Sequence, residues 1–195
     1  METTTDIRVL VAVNHADFDA YFARHPEAWG AYHHDQVRNI AEYEQLADKY
    51  QFDAVIVYHG AQFSQAVLND QAVNSKRIKW VHGCTAGIDN YLMARDFVNA
   101  DHIVLTNSRG LFSRALAEFV ALGMLFYTKR LRQFMQHQSD KEWRPHFVEM
   151  VGDKTVAIVG FGDIGAACGK VLINGFGARV IGVKKRPDVF SAEDL

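Results

Sequence analysis

Gly160, Gly162 and Gly165 stand in G-x-G-x-x-G spacing within TVAIVGFGDIGAACGKV. That spacing alone says little. Here it follows a β-branched run and opens an Ala-rich stretch, the strand–turn–helix setting in which the pattern binds a dinucleotide pyrophosphate. The first glycine permits the tight turn, the second lets backbone approach the pyrophosphate, and the third lets helix and strand pack closely. The helix head then offers N–H groups to the phosphates. A tight strand–helix turn with no ligand is the plain alternative.

The next apolar run, ARVIGV, ends in Lys184, Lys185 and Arg186. A unit built for NAD(H) carries Asp or Glu there, to bond the ribose hydroxyls. A basic cluster instead pairs with a 2′-phosphate through charge-assisted bonds. NADP(H) is therefore favoured over NAD(H), with a solvated charge run at a strand end as the alternative.

Two earlier strands end alike, in VYHG and WVHG. Ligands of doubly wound sheets gather at the carboxyl ends of strands. His59 and Gly60 are thus candidate substrate contacts, with His82 expected at the same rim. The turn GCTAGIDNY follows, and backbone N–H groups around Thr85, Ala86 and Gly87 could cradle a carboxylate. An ordinary helix start capped by Thr85 reads equally well. The remaining histidines, including the His33–His34 pair, lack partners at metal-ligand spacing, so no metal is expected. Cys84 and Cys168 lie far apart and read as free thiols.

These residues need a scaffold, and the pattern supplies one. IRVLVAV (Ile7–Val13), DAVIVYHG, RIKWVHG and HIVLTN (His102–Asn107) are short apolar runs of buried-strand type. Between them lie helical stretches: ADFDAYFARHPEA, DQVRNIAEYEQLADKY, AQFSQAVLND and TAGIDNYLMAR. In the second of these, Val37, Ile40, Tyr43 (or Glu44) and Ala47 would share one face. Residues 29–34 fit neither pattern. Alternating strands and helices predict a parallel sheet covered on both faces. Residues 111–137 then read as one long apolar helix, interrupted by Arg114, Glu118 and the 129–132 basic group. Those charges argue against a membrane span. A helix buried between domains or subunits fits better.

The 195 residues carry a formal net charge of −2, which points to no nucleic-acid partner. The N-terminal stretch lacks a basic lead and a long apolar core, so a cytoplasmic protein is expected.

WVHGCTAGIDNYL, VLTNSRG, ALAEFVALGMLFYTKRLR, a W-R-P segment and KTVAIVGFGDIG occur in that order. Together, from about Asp53 onward, they resemble the D-isomer-specific 2-hydroxyacid dehydrogenases. The basic ending resembles the NADP(H)-using glyoxylate/hydroxypyruvate reductases among them. The resemblance implies an α/β protein: a flavodoxin-like substrate domain over residues 1–105, then a linking helix and the first, incomplete part of a Rossmann domain over 106–195. It implies hydride transfer between a nicotinamide cofactor and a small 2-oxo or 2-hydroxy acid, in a homodimer assembled through the long helix. Phe161, Gly162, Asp163 and Ile164 would form the pyrophosphate loop, and Lys184 would select the cofactor. The turn from Thr85 to Asp89 would meet the substrate carboxylate. The family's catalytic Arg, acidic residue and His would lie beyond Leu195, so no residue here takes a catalytic role. A truncated, inactive portion of the enzyme is the expectation. A non-catalytic nucleotide-binding or scaffold protein of the same fold is the alternative.

Overall fold

The structure is a computed structural model that describes residues 7–29, 32–58 and 61–186. His59, Gly60 and residues 187–195 lie outside the described residues. The chain divides into two units between Arg109 and Gly110.

The first unit contains β1 (Arg8–Val13), α1 (Ala16–Arg24), β2 (His33–Val37), α2 (Ile40–Glu44) and β3 (Ala54–Tyr58). It continues with α3 (Ala61–Asn74), β4 (Trp80–Gly83), α4 (Asp89–Leu92), α5 (Arg95–Val98) and β5 (Val104–Asn107). All strand pairs are parallel, in the order β2-β1-β3-β4-β5. This is the flavodoxin-like doubly wound order. The central strands are apolar on both faces, as a sheet covered on both sides requires. Leu10, Ala12, Val55, Val57 and Val81 face Tyr43, Phe52, Leu68 and Phe97. Val9, Val11, Val13 and Ala54 turn to the other side, against Phe18 of α1.

Three sequence expectations change. Residues 35–37 belong to a strand, and the expected helix shrinks to α2. Asn39 caps it, accepting from the Glu42 amide, so Val37 cannot share its face. The expected short helix after β3 runs on to Asn74. The stretch after Thr85 holds two four-residue helices rather than one.

Polar groups buried among these elements are tied to one another. The Tyr43 hydroxyl donates to Asp70 (2.6 Å) and accepts from Gln71 (2.8 Å). Burial pushes the Tyr43 phenol well above its ordinary range, with the Asp70 bond adding to the rise. At the start of the sheet, Asp53 accepts from the Arg8 amide (2.9 Å) and from Arg77 Nε (2.7 Å). Its main chain bonds both Arg8 and Lys79, so Asp53 joins three strand starts. The Arg77 guanidinium holds the Asp53 carboxyl below the usual carboxylate range, assisted by the Arg8 amide against the cost of burial. A depressed carboxyl stabilises the fold above its unfolded pKa, near 3.9, and stops doing so as pH falls through the lower folded value. Asp53→Asn should therefore cost about 1–2 kcal/mol at pH 7, the side chain being partly exposed. Urea unfolding at pH 7 and pH 3 checks this; a gap that does not narrow in acid contradicts it.

The second unit contains α6 (Ser113–Thr128), α7 (Leu131–Ser139), β6 (Thr155–Val159), α8 (Asp163–Phe176) and β7 (Arg179–Val183). The long apolar helix is thus broken. Thr128 carbonyl accepts from the Glu149 amide, Lys129 Nζ donates to Glu149 carbonyl, and Arg130 takes a left-handed φ of 50°. The returning chain removes an acceptor on which the helix would have continued. Nor is the helix buried all round: Ser113, Ala117 and Ala121 are covered, while Phe119 is 73% and Tyr127 80% exposed. No helix among the described residues is long and apolar enough to cross a membrane.

The covered residues of α6 recur every four positions and form a small-residue stripe against α8. The buried residues of α8 are Gly165, Cys168, Gly169 and Leu172, at helical spacing. β6 and β7 pair in parallel, Thr155 opposite Arg179 through Val159 opposite Val183. Val156, Ile158 and Val180 pack toward Leu172 and Val151, whereas Val159, Ile181 and Val183 are exposed.

Candidate functional site

The glycine run occupies the bend between β6 and α8. Gly160 has φ +91°, a conformation that side-chain-bearing residues rarely adopt. The Gly160 and Phe161 amides both donate to the Val183 carbonyl, at 3.0 Å each. The last residue of β7 is thereby tied to the glycine loop, which sets Lys184, Lys185 and Arg186 beside it. The buried Phe161 ring lies over Gly182 of β7. A Cβ on Gly165 would stand 2.6 Å from the Gly160 carbonyl oxygen and 3.3 Å from Ile158 Cγ2. The third glycine is therefore where helix and strand approach most closely, as its spacing predicts.

Gly162 caps α8 with extended backbone and, being glycine, brings no side chain to the head of this helix. Cβ atoms added at Gly160 or Gly162 would meet nothing within 4 Å. Gly162, Asp163 and Ile164 are exposed. An open surface of N–H groups at a helix head suits an anion, and the residues present fit a dinucleotide pyrophosphate. Asp163 is the one acidic residue of the first turn, and its carboxylate accepts from Ser113 Oγ of α6. No feature of the sequence near Gly160 signals that contact.

In the first unit, the 85–87 turn follows β4. Ser108 amide donates to Thr85 carbonyl (3.1 Å), Asn107 Nδ2 to Ala86 carbonyl (2.8 Å) and Thr85 Oγ1 to Gly87 carbonyl (2.6 Å). These bonds fix the turn by its carbonyl side. Thr85 caps no helix: α4 begins at Asp89 after Ile88, without a side-chain cap. His82 lies on β4 with Nδ1 2.9 Å from Thr106 Oγ1 and Nε2 3.2 Å from Ser108 Oγ. Both ring nitrogens are taken up in holding β4 to β5 and the residue after it. His59 and Gly60 lie outside the described residues.

Among the described residues, no group of three or more His, Cys, Asp or Glu is placed to hold a metal ion. Cys84 and Cys168 are free thiols, and burial raises the pKa of each.

Residues 121–194 match the family model described as the D-isomer specific 2-hydroxyacid dehydrogenase NAD binding domain. A D-lactate dehydrogenase of Streptococcus pyogenes serotype M1 is 31% identical over 108 residues, which are 54% of this chain and 32% of that protein. The chain thus spans about a third of the length of this curated relative. The solved structure of a D-2-hydroxyisocaproate dehydrogenase superposes with a TM-score of 0.78 at 19% identity, over 96% of this chain and 56% of that one. An NADPH-dependent glyoxylate/hydroxypyruvate reductase of Sinorhizobium meliloti, solved with NADP and sulfate, gives 0.70 at 21% identity over 91% and 52%. The glycine loop and the β6–α8–β7 unit lie inside the matched segment, so residues 121–194 are similar to the NAD binding domain of the D-isomer-specific 2-hydroxyacid dehydrogenase family, and the fold of the chain is similar to that of the solved structures.

Proposed function

We propose that this chain is the substrate-domain and leading cofactor-domain portion of an NADP(H)-dependent reductase of small 2-oxo acids, acting reversibly on D-2-hydroxy acids. The observation that carries the reading is the pair of bonds from Gly160 and Phe161 to Val183, which join the glycine loop to the start of the basic run. Gly160, Phe161, Gly162, Asp163, Ile164 and Gly165 would hold the pyrophosphate. Lys184, Lys185 and Arg186 would face the adenosine ribose and pair with its 2′-phosphate. The N–H side of the Thr85–Ala86–Gly87 turn would receive the substrate carboxylate, with His59 and Gly60 as further substrate contacts. A nicotinamide cofactor held by the glycine loop would supply hydride chemistry for the C2 carbonyl of such an acid. Glyoxylate and hydroxypyruvate are the substrates to try first, in line with the name of the Sinorhizobium meliloti protein. The exposed face of α6, with Phe119 and Tyr127, would be covered by a second copy in a cytoplasmic homodimer.

Direct titration of the 195-residue protein with NADPH and with NADH, followed by nucleotide fluorescence, tests this. NADPH should bind at least about tenfold more tightly, the worth of one charge-assisted contact. Equal affinities would remove the NADP(H) assignment, and no binding of either would remove the cofactor site. Sedimentation of the same preparation reads the dimer; a monomer at every concentration contradicts it.

A further inference from the structure

We propose that Ser113 is a positioning residue: it holds the Asp163 carboxylate clear of the anion cradle at the head of α8, and so sets how tightly a pyrophosphate binds there. The proposal rests on the reading of Gly160–Gly165 as a pyrophosphate loop. An acidic residue in a helix's first turn ordinarily settles over its own free N–H groups, where the positive end of the helix dipole attracts it. Asp163 does not. The residue that caps α8 is Gly162, which has no side chain to bond the helix head, and Asp163 Oδ2 takes the hydrogen bond of Ser113 Oγ, fifty residues earlier in the chain.

The anchor is firm because of where it sits. Ser113 is buried in the first turn of α6, on the stripe with Ala117 and Ala121 that packs toward α8. Its backbone is therefore held in place by the packing of α6. Asp163 is exposed, and the Ser113 bond ties its carboxylate to α6. Once released, the carboxylate has two places to go. It can fold onto the first N–H groups of α8 and occupy the cradle. Or it can stand in solvent beside the cradle and repel an incoming anion. In either place it competes with a pyrophosphate from within the same molecule, at high effective concentration. Ser113 thus lets the loop carry an acidic residue beside a phosphate site without closing the site.

The test is a set of titrations of wild type, Ser113→Ala, Asp163→Asn and the double variant, each with NADPH, NADH and inorganic pyrophosphate. Ser113→Ala should weaken all three by about tenfold, the effect of bringing one partly screened like charge to a bound anion. The loss should shrink as salt rises. In the Asp163→Asn background the same serine change should have almost no effect, since no charge is left to misplace. A purely structural role for Ser113 predicts equal losses in both backgrounds, accompanied by a lower Tm; that result overturns the proposal. Unchanged binding by Ser113→Ala, with wild type binding dinucleotide normally, overturns it as well and leaves the cofactor site standing. Wild type that binds neither dinucleotide nor pyrophosphate removes the cofactor site, and this proposal with it.

Discussion

Gly165→Val should destabilise the second unit by about 2–4 kcal/mol and abolish measurable dinucleotide binding. The added Cβ would meet the Gly160 carbonyl oxygen at 2.6 Å, and that atom is backbone. It cannot rotate away as a side chain could. Either α8 lifts from β6, or the Gly160–Gly162 turn rearranges. Lifting α8 would open the small-residue stripe against α6; rearranging the turn would displace the N–H groups at the helix head. Both routes damage the site, so stability and affinity should fall together. Gly175→Ala is the control on the same helix. Nothing lies within 4 Å of a Cβ there, and alanine favours helix over glycine. That change should stabilise by about 0.5 kcal/mol, less than an interior position because it is near the helix end, and leave binding unchanged. Chemical unfolding and NADPH titration read both variants. If Gly165→Val binds as wild type does, the close approach of helix and strand is not what the third glycine serves.

The parts of this site that were legible in the sequence are those encoded locally. The glycine spacing foretold both the Gly160 turn and the Gly165 contact, because each requirement falls within six residues of chain. β1 and β3 were legible because burial on both faces forces an unbroken apolar run, as in Leu10–Val13 and Ala54–Val57; β4 and β5 were found by the same apolar pattern, but Trp80 is exposed and the edge strand β5 has no buried residue. β2 was not. It lies at the sheet edge, and its residues His33, His34, Asp35 and Gln36 carry no such run; only Val37 is buried. Its place in the sheet is set by pairing with Arg8–Ala12, which a local pattern does not carry.

The break in the long helix was hidden for a related reason. Apolar periodicity continues across Thr128–Arg130, and the interruption comes from Glu149, about twenty residues later, taking the Thr128 carbonyl. The Ser113–Asp163 bond joins residues still further apart, with nothing beside either to mark it. Sequence pattern thus reported what each segment can do alone. It did not report where another segment takes an acceptor or holds a side chain. The 85–87 turn shows both limits. Its small residues marked a tight bend, but its shape depends on Asn107, the last residue of β5, and Ser108, the next, bonding the carbonyls.

Lys184→Asp should change the ratio of NADPH to NADH affinity by more than about a hundredfold. A 2′-phosphate carries about −1.5 to −2 charges at neutral pH. One charge-assisted bond to it is worth about 1.5–3 kcal/mol, or about tenfold to a hundredfold in affinity. Substitution by aspartate removes that bond and adds repulsion, so the NADPH loss should exceed the deletion value. NADH has no 2′-phosphate and stands to gain, because a carboxylate at this strand end can accept from the ribose hydroxyls. The main chain keeps the comparison clean. Lys184 directly follows Val183, whose carbonyl takes the Gly160 and Phe161 amides. Those bonds involve no side chain of Lys184, so the Val183 carbonyl can keep both amides in the substituted protein. Lys184→Ala separates the two effects: it should lose the bond without adding repulsion, and fall between wild type and Lys184→Asp. Raising salt from 50 to 500 mM should compress the series, since charges at a partly exposed strand end are screened. Dissociation constants for both cofactors across the three proteins decide the matter. A ratio that stays fixed would mean that Lys184 ends the strand in solvent and that cofactor choice is made elsewhere.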